Sequence, residues 1–282
     1  MSDTLDSSDR SLAGRTMVVS GGSRGIGLAI ALGAARRGAN VVLLAKTGQP
    51  HPKLPGTVHT AVAEIEHAGG AGVAVVGDVR KEDDVERAVA TAVEHFGGID
   101  IVINNASAIA TDPTEDLAPK KFDLMMDINV RGTFLLTRAA LPHLRKSAAA
   151  QVMTISPPLN LNPHWLGAHP SYTLSKYGMT LLSQGWAAEY RDAGIAFTCL
   201  WPQTYIATSA VTNLAGGGDL VKASRSPDIM ADAAAEILGR PAAEVSGQCF
   251  IDAEVLTAAG VTDLTRYGGG DNPMWDIFVD KS

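Results

Sequence analysis

The chain has 282 residues, is 46% hydrophobic and carries a net charge of −7. That length suits one large domain with a full core. The absence of a basic block argues against nucleic acid or anionic membrane as a partner, and no apolar run is long enough to span a bilayer. Residues 1–15 are polar and mixed in charge, without the apolar centre of a signal peptide. The last residues, Asp280-Lys281-Ser282, are not a peroxisomal address. Cys199 and Cys249 sit in apolar, strand-like segments and read as buried, reduced thiols. The expected location is cytoplasmic.

Residues 16–19 read as a short buried strand and 28–35 as a buried helix. Between them lies Ser20-Gly21-Gly22-Ser23-Arg24-Gly25-Ile26-Gly27. A glycine-rich turn between strand and helix aims backbone N–H groups and the helix dipole at one point, which suits a pyrophosphate. Gly21 permits the tight turn, Gly25 the approach of the phosphates, and Gly27 close packing of helix on strand. Ser23, Arg24 and Ile26 complete the candidate dinucleotide site.

Strands are expected at 40–45, 72–76, 99–103, 151–155, 195–201 and 248–251. Helices are expected at 57–68, through Val85, Ala88, Val89, Ala92, Val93 and Phe96, and at 121–144, 171–192 and 227–238. Ser226 would cap the last of these, with Pro227 at its first position. Segment 46–56 is a proline-containing loop, and 202–226 is rich in Gly and Thr. Alternating strands and helices imply a doubly wound α/β domain, a mainly parallel sheet with helices on both faces. Its expected span is 13–262, between a flexible N-terminus, 1–12, and a tail, 263–282.

The glycine turn, Asn104-Asn105-Ala106 and Tyr172-x-x-x-Lys176 together resemble the short-chain dehydrogenases/reductases in order and spacing. The resemblance covers about residues 13–251 and implies a Rossmann-type fold, a nicotinamide cofactor, and a dimer or tetramer. The runs 46–54, 123–126 and 155–163 resemble one branch of this family, whose members also carry a sterol-carrier domain and a peroxisomal address. This chain is expected to have neither.

Tyr172 and Lys176 are one helical turn apart and share a face. The ammonium and a positive nicotinamide ring would lower the phenol from about 10 toward neutral, making Tyr172 an acid/base for hydride transfer. By resemblance, Lys176 binds the nicotinamide ribose and Asn129 orients a proton-relaying water; a role for Asn129 in a helix kink stays open. Resemblance also places Asn105 and Ala106 beside adenosine, Asp78 and Val79 at adenine, and Pro202, Ile206 and Thr208 near the carboxamide and pyrophosphate. The plainer reading of Asp78 is a helix N-cap.

An acid after the second strand would select NAD. Here Ala45-Lys46 follows it and Arg24 sits in the glycine turn, so NADP(H) is expected. The substrate would be a small, apolar carbonyl or alcohol, with Trp165, Leu166, Tyr205 and Leu214 as candidate pocket walls. The family's substrate-holding serine would fall thirteen residues before Tyr172, on Leu159. Ser156, at the strand end, is the candidate replacement, with Asn160 and Asn162 the other nearby donors. The seven His residues show no ligand spacing, so no metal is expected. The alternatives are an NADPH-binding sensor or scaffold without turnover and, less well supported, a sugar-nucleotide epimerase. Apolar residues Leu135, Leu136, Leu141, Met179, Leu182 and Trp186 are the candidate subunit interface.

Overall fold

The computed structural model describes residues 10–50, 55–212 and 217–280. In chain order the first half comprises β1 (Thr16–Ser20), α1 (Gly25–Arg36), β2 (Asn40–Ala45), α2 (Val58–His67), β3 (Ala71–Val76), α3 (Glu82–Phe96), β4 (Ile101–Asn104), α4 (Pro119–Met125) and α5 (Gly132–Leu144). The second half comprises β5 (Gln151–Ile155), α6 (Pro163–Ala168), α7 (Pro170–Glu189), β6 (Ala196–Trp201), α8 (Ser209–Thr212), α9 (Gly217–Lys222), α10 (Asp228–Leu238), α11 (Ala242–Val245), β7 (Cys249–Ile251) and α12 (Asp252–Ala258). The seven strands form one sheet in the order β3-β2-β1-β4-β5-β6-β7. Every pairing is parallel. The order reverses between β1 and β4, so a crevice opens at their C-terminal ends, where such sheets bind ligands.

Both faces of the sheet are covered, and the strands accordingly read as continuous apolar runs. Met17, Val19, Val41, Leu43, Ile101 and Ile103 pack with α1, α2 and α10 on one face. Val18, Val42, Val102, Val152 and Phe197 pack with α3, α5 and α7 on the other. Helices α1 and α10 touch closely because Gly33 has no side chain: a Cβ there would lie 3.2 Å from that of Ala231.

Several local expectations are revised. The helix expected at 121–144 is interrupted by a π-helical turn, Met126–Arg131. Leu135, Leu136, Met179 and Trp186 belong to the core rather than to surplus surface; the large exposed apolar side chains of α4, α5 and α7 are Leu124, Phe134, Leu174 and Leu181. Leu12, expected in the flexible N-terminus, is fully buried in the core. Cys199 is buried but Cys249, its partner in the β6–β7 register, is only half-buried.

Helix α10 starts one residue later than expected, with Pro227 as N-cap, while the Ser226 hydroxyl bonds the Asp228 carboxylate at 2.7 Å. The segment after α12 folds back onto the domain: Tyr205 N–H donates to the Met274 carbonyl, Asp276 N–H to that of Gln203, and Phe278 is buried. No helix among the described residues is long and apolar enough to cross a membrane.

Candidate active site

The glycine turn is stapled to the end of β4. Ser20 Oγ accepts from the N–H groups of Asn105 and Ala106, each at 3.1 Å. Asn105 Nδ2 donates to the carbonyls of Ser20 (3.1 Å) and Gly21 (3.0 Å). Gly21 and Gly25 have φ of 72° and 59°, a region that side chains disfavour. A Cβ on Gly27 would stand 2.4 Å from Asn105 Nδ2. Gly27 therefore shapes the turn from behind and does not line the cleft.

Helix α1 begins at Gly25 with an extended Arg24 as N-cap, no side-chain cap and no acid in its first turn. Its orphan N–H groups and dipole are thus available to an anion. Gly21, Ser23, Arg24, Gly25 and Ile26 line the cleft there, with Thr208 opposite. A pyrophosphate fits this uncapped, acid-free helix end.

At the far end of the cleft stand Lys46, Thr47, Asp78, Val79 and Ala106. Lys46 is exposed, and Arg24 Nη2 donates to the Gly56 carbonyl at 3.1 Å. Asp78 is not a helix cap, since Lys81 holds that position on α3. Its carboxylate instead takes a forked bond from Arg80, 2.6 Å at the closest, which holds its pKa below the usual range.

The chemistry-bearing end is built on α7. Tyr172 and Lys176 both line the cleft, and both are almost fully buried. Lys176 Nζ donates to the Ile155 carbonyl at 2.5 Å and lies 5.1 Å from the Trp201 ring centroid. Burial pulls its pKa down to about 7. The Tyr172 phenol, expected to be lowered, is raised: burial disfavours the phenolate, and the Asp276 charge adds to that.

Asn129 sits in the π-helical turn, fully buried and outside the cleft lining. Its amide NH2 donates to the Ala108 carbonyl (3.0 Å) and to Ser175 Oγ (2.9 Å), and its Oδ1 accepts from Ala108 N–H at 2.7 Å. Both N–H donors are thereby used, and the side chain braces the loop after β4 against α7.

Ser156 does not face the cleft either. It is fully buried, and its hydroxyl is bonded to Thr180 Oγ1 at 3.0 Å. The other two candidates do not line the cleft either. Asn160 Nδ2 bonds the Phe278 carbonyl and Asp280, and Asn162 caps α6.

Pro202, Ile206 and Thr208 line the cleft, as does Tyr205. Trp165 instead packs on Phe278, Leu166 is exposed, and Leu214 lies outside the described residues. The sequence reading missed Asp276 and Ile277, which line the cleft from the C-terminal segment, as well as Ile155 and Trp201. Only the Ile277-Phe278-Val279 run, apolar residues closing a glycine-rich tail, hinted at a docked segment. The cavity measures about 450 Å³. Among the described residues no group of His, Cys, Asp and Glu could hold a metal ion.

The short-chain dehydrogenase family profile matches residues 15–216. The chain belongs to the short-chain dehydrogenase family. The chain is 50% identical over 273 residues to hydroxysteroid dehydrogenase-like protein 2 of Xenopus tropicalis, covering 96% of itself and 65% of that relative. It thus spans less than two thirds of the curated relative's length. Its fold superposes on a putative dehydrogenase from Xanthomonas campestris with TM-score 0.91 at 48% identity, covering 96% and 99% of the two chains.

More distant structures hold nicotinamide cofactors. An L-sorbose reductase from Gluconobacter frateurii is complexed with NADPH and L-sorbose (TM-score 0.73, 25% identity, 86% and 96% covered). An NADH-dependent reductase is complexed with NAD (TM-score 0.69, 25% identity, 86% and 96% covered). One of these two neighbours thus holds NAD and the other NADPH.

Proposed function

We propose that the chain is an NADP(H)-dependent oxidoreductase interconverting a carbonyl and a secondary alcohol, with Tyr172 as acid/base. One observation carries this reading. The cleft runs from an uncapped helix N-terminus, flanked by Arg24 and Lys46, to Tyr172 and Lys176 on one helical face. Arg24 and Lys46 would pair with a 2′-phosphate, and no acid follows β2 to accept ribose hydroxyls. A bound nicotinamide supplies or accepts the hydride. Tyr172 would give or take the oxygen-bound proton, while Lys176 binds the ribose and stabilises the phenolate. Ile109, Ile155, Trp201 and Ile277 favour an apolar substrate.

The exposed Phe134, Leu174 and Leu181 support a homodimer or homotetramer, which light scattering would read directly. A cytoplasmic setting accords with the reduced cysteines. Monitoring NADPH oxidation against ketones, quinones, steroids and 3-ketoacyl thioesters tests the function. The burial of Ser156 favours one other reading, an NADPH-binding sensor, which tight binding without turnover on the whole panel would select.

A further inference from the structure

We propose that Asp276 holds the substrate carbonyl: its side chain acts as a neutral carboxyl whose Oδ2–H donates a hydrogen bond to the reacting oxygen, beside the Tyr172 hydroxyl. This rests on the oxidoreductase reading above.

The C-terminal segment places Asp276 securely. Trp275 pairs with Thr204, Tyr205 N–H bonds the Met274 carbonyl at 2.9 Å, and Asp276 N–H bonds the Gln203 carbonyl at 3.0 Å. Asp276 is 8% exposed, and it lines the same cleft as Tyr172 and Lys176. Ile277 N–H donates to Oδ1 at 2.7 Å, which leaves Oδ2, among the described residues, without a protein partner. A buried carboxyl with one donor for two oxygens is poorly solvated as an anion, and it gains a hydrogen bond by keeping its proton and donating it.

The charged and titratable groups around it agree. Tyr172 and Lys176 face it from α7, Tyr205 from the loop after β6, and Asp252 from α12, with Arg225 acting on Asp252. Burial and the Asp252 charge raise the Asp276 carboxyl to about 8, against the opposing pull of the Ile277 N–H bond and of Lys176. The proton therefore stays on at neutral pH.

None of the candidate donors from the loop after β5, Ser156, Asn160 and Asn162, lines the cleft. Ser156 points at Thr180, Asn160 binds the C-terminal segment, Asn162 caps a helix, and Leu159 is apolar. The proton balance is simple: the oxygen takes its proton from Tyr172, its carbon takes the hydride supplied by the nicotinamide, and Asp276 keeps its own proton throughout.

The experiment uses the full chain with NADPH and phenanthrenequinone. Asp276→Ala should lower kcat by about 10²-fold, the cost of a lost oxyanion donor, with NADPH affinity by fluorescence titration unchanged. Asp276→Asn, which keeps an N–H donor and the shape, should fold normally and retain most turnover. It should also lose the wild type's fall in kcat as pH rises through about 8. Infrared difference spectra of wild type minus Asp276→Asn at neutral pH should show a protonated carboxyl band that moves to lower frequency when the quinone is added. Full kcat in Asp276→Ala, or carboxylate bands at neutral pH, would overturn the proposal. A quinone-shifted band in a wild type that turns over no carbonyl would sink the oxidoreductase reading and leave the Asp276 contact standing.

Discussion

The Tyr172 ring lies against Phe278, with centroids 6.3 Å apart and planes 25° from parallel. Phe278 also meets Tyr177 at 5.2 Å and Trp201 at 6.0 Å, and it is 2% exposed. Its φ of 72° is the sole positive value among the described non-glycine residues, so packing holds a backbone that a side chain disfavours. The C-terminal segment thus supports the candidate acid/base from behind.

Phe278→Ala should therefore cost about 3 kcal/mol, the lower end for deleting a buried aromatic ring, and reduce turnover more than NADPH affinity. Urea unfolding and NADPH titration would measure both. A stability loss below about 1 kcal/mol would show that the segment is not packed as described.

Cofactor preference follows from Arg24 and Lys46. NADPH should bind at least about tenfold more tightly than NADH, near 1.4 kcal/mol. Lys46→Asp should narrow or reverse the gap. Equal calorimetric affinities in the wild type would contradict the assignment.

Gly27→Ala should damage cofactor binding without touching the cofactor. The new Cβ would stand 2.4 Å from Asn105 Nδ2 and 2.7 Å from the Gly21 carbonyl, so the staple holding the turn must move. About 1–3 kcal/mol of stability should be lost, with weakened NADPH binding. An unchanged melting temperature and affinity would count against the staple.

Stability should carry a pH signature from Asp276. Its folded pKa, about 8, lies above the ordinary 3.8, so the folded state holds a proton that the unfolded state releases between those values. Its contribution is full below the unfolded value and is lost as pH rises toward the folded one. Wild type should lose stability relative to Asp276→Asn from about pH 4 to pH 7, by at least about 1.4 kcal/mol, one unit's worth. Parallel curves for the two proteins would refute the raised pKa.

Much of this architecture was legible because the local signals were strong. Strands β2 and β5 span the expected 40–45 and 151–155, and Thr57 caps α2 at the expected boundary. The glycine turn declared itself because Gly21 and Gly25 occupy conformations that few other residues tolerate. The π-helical turn was legible only as a possible kink at Asn129: one extra residue barely disturbs helical spacing, and Asn129 is held by Ala108 and Ser175, both distant in sequence. Ser156 was misread for a related reason. Strand position alone put it near the nicotinamide, but its rotation toward Thr180 depends on how α7 packs. Asp276 was missed because a tail residue reaches the cleft only through long-range pairing with Gln203 and Thr204.

The central claim is that Tyr172 moves the proton. Tyr172→Phe removes one hydroxyl and keeps the ring against Phe278, so folding and NADPH affinity should stay within about twofold of wild type, while turnover should fall at least about 10²-fold. The deciding measurement is steady-state NADPH oxidation with the best carbonyl from the panel, beside NADPH titration of the same preparations. A phenylalanine variant that binds NADPH normally and turns over at near wild-type rate would contradict the account.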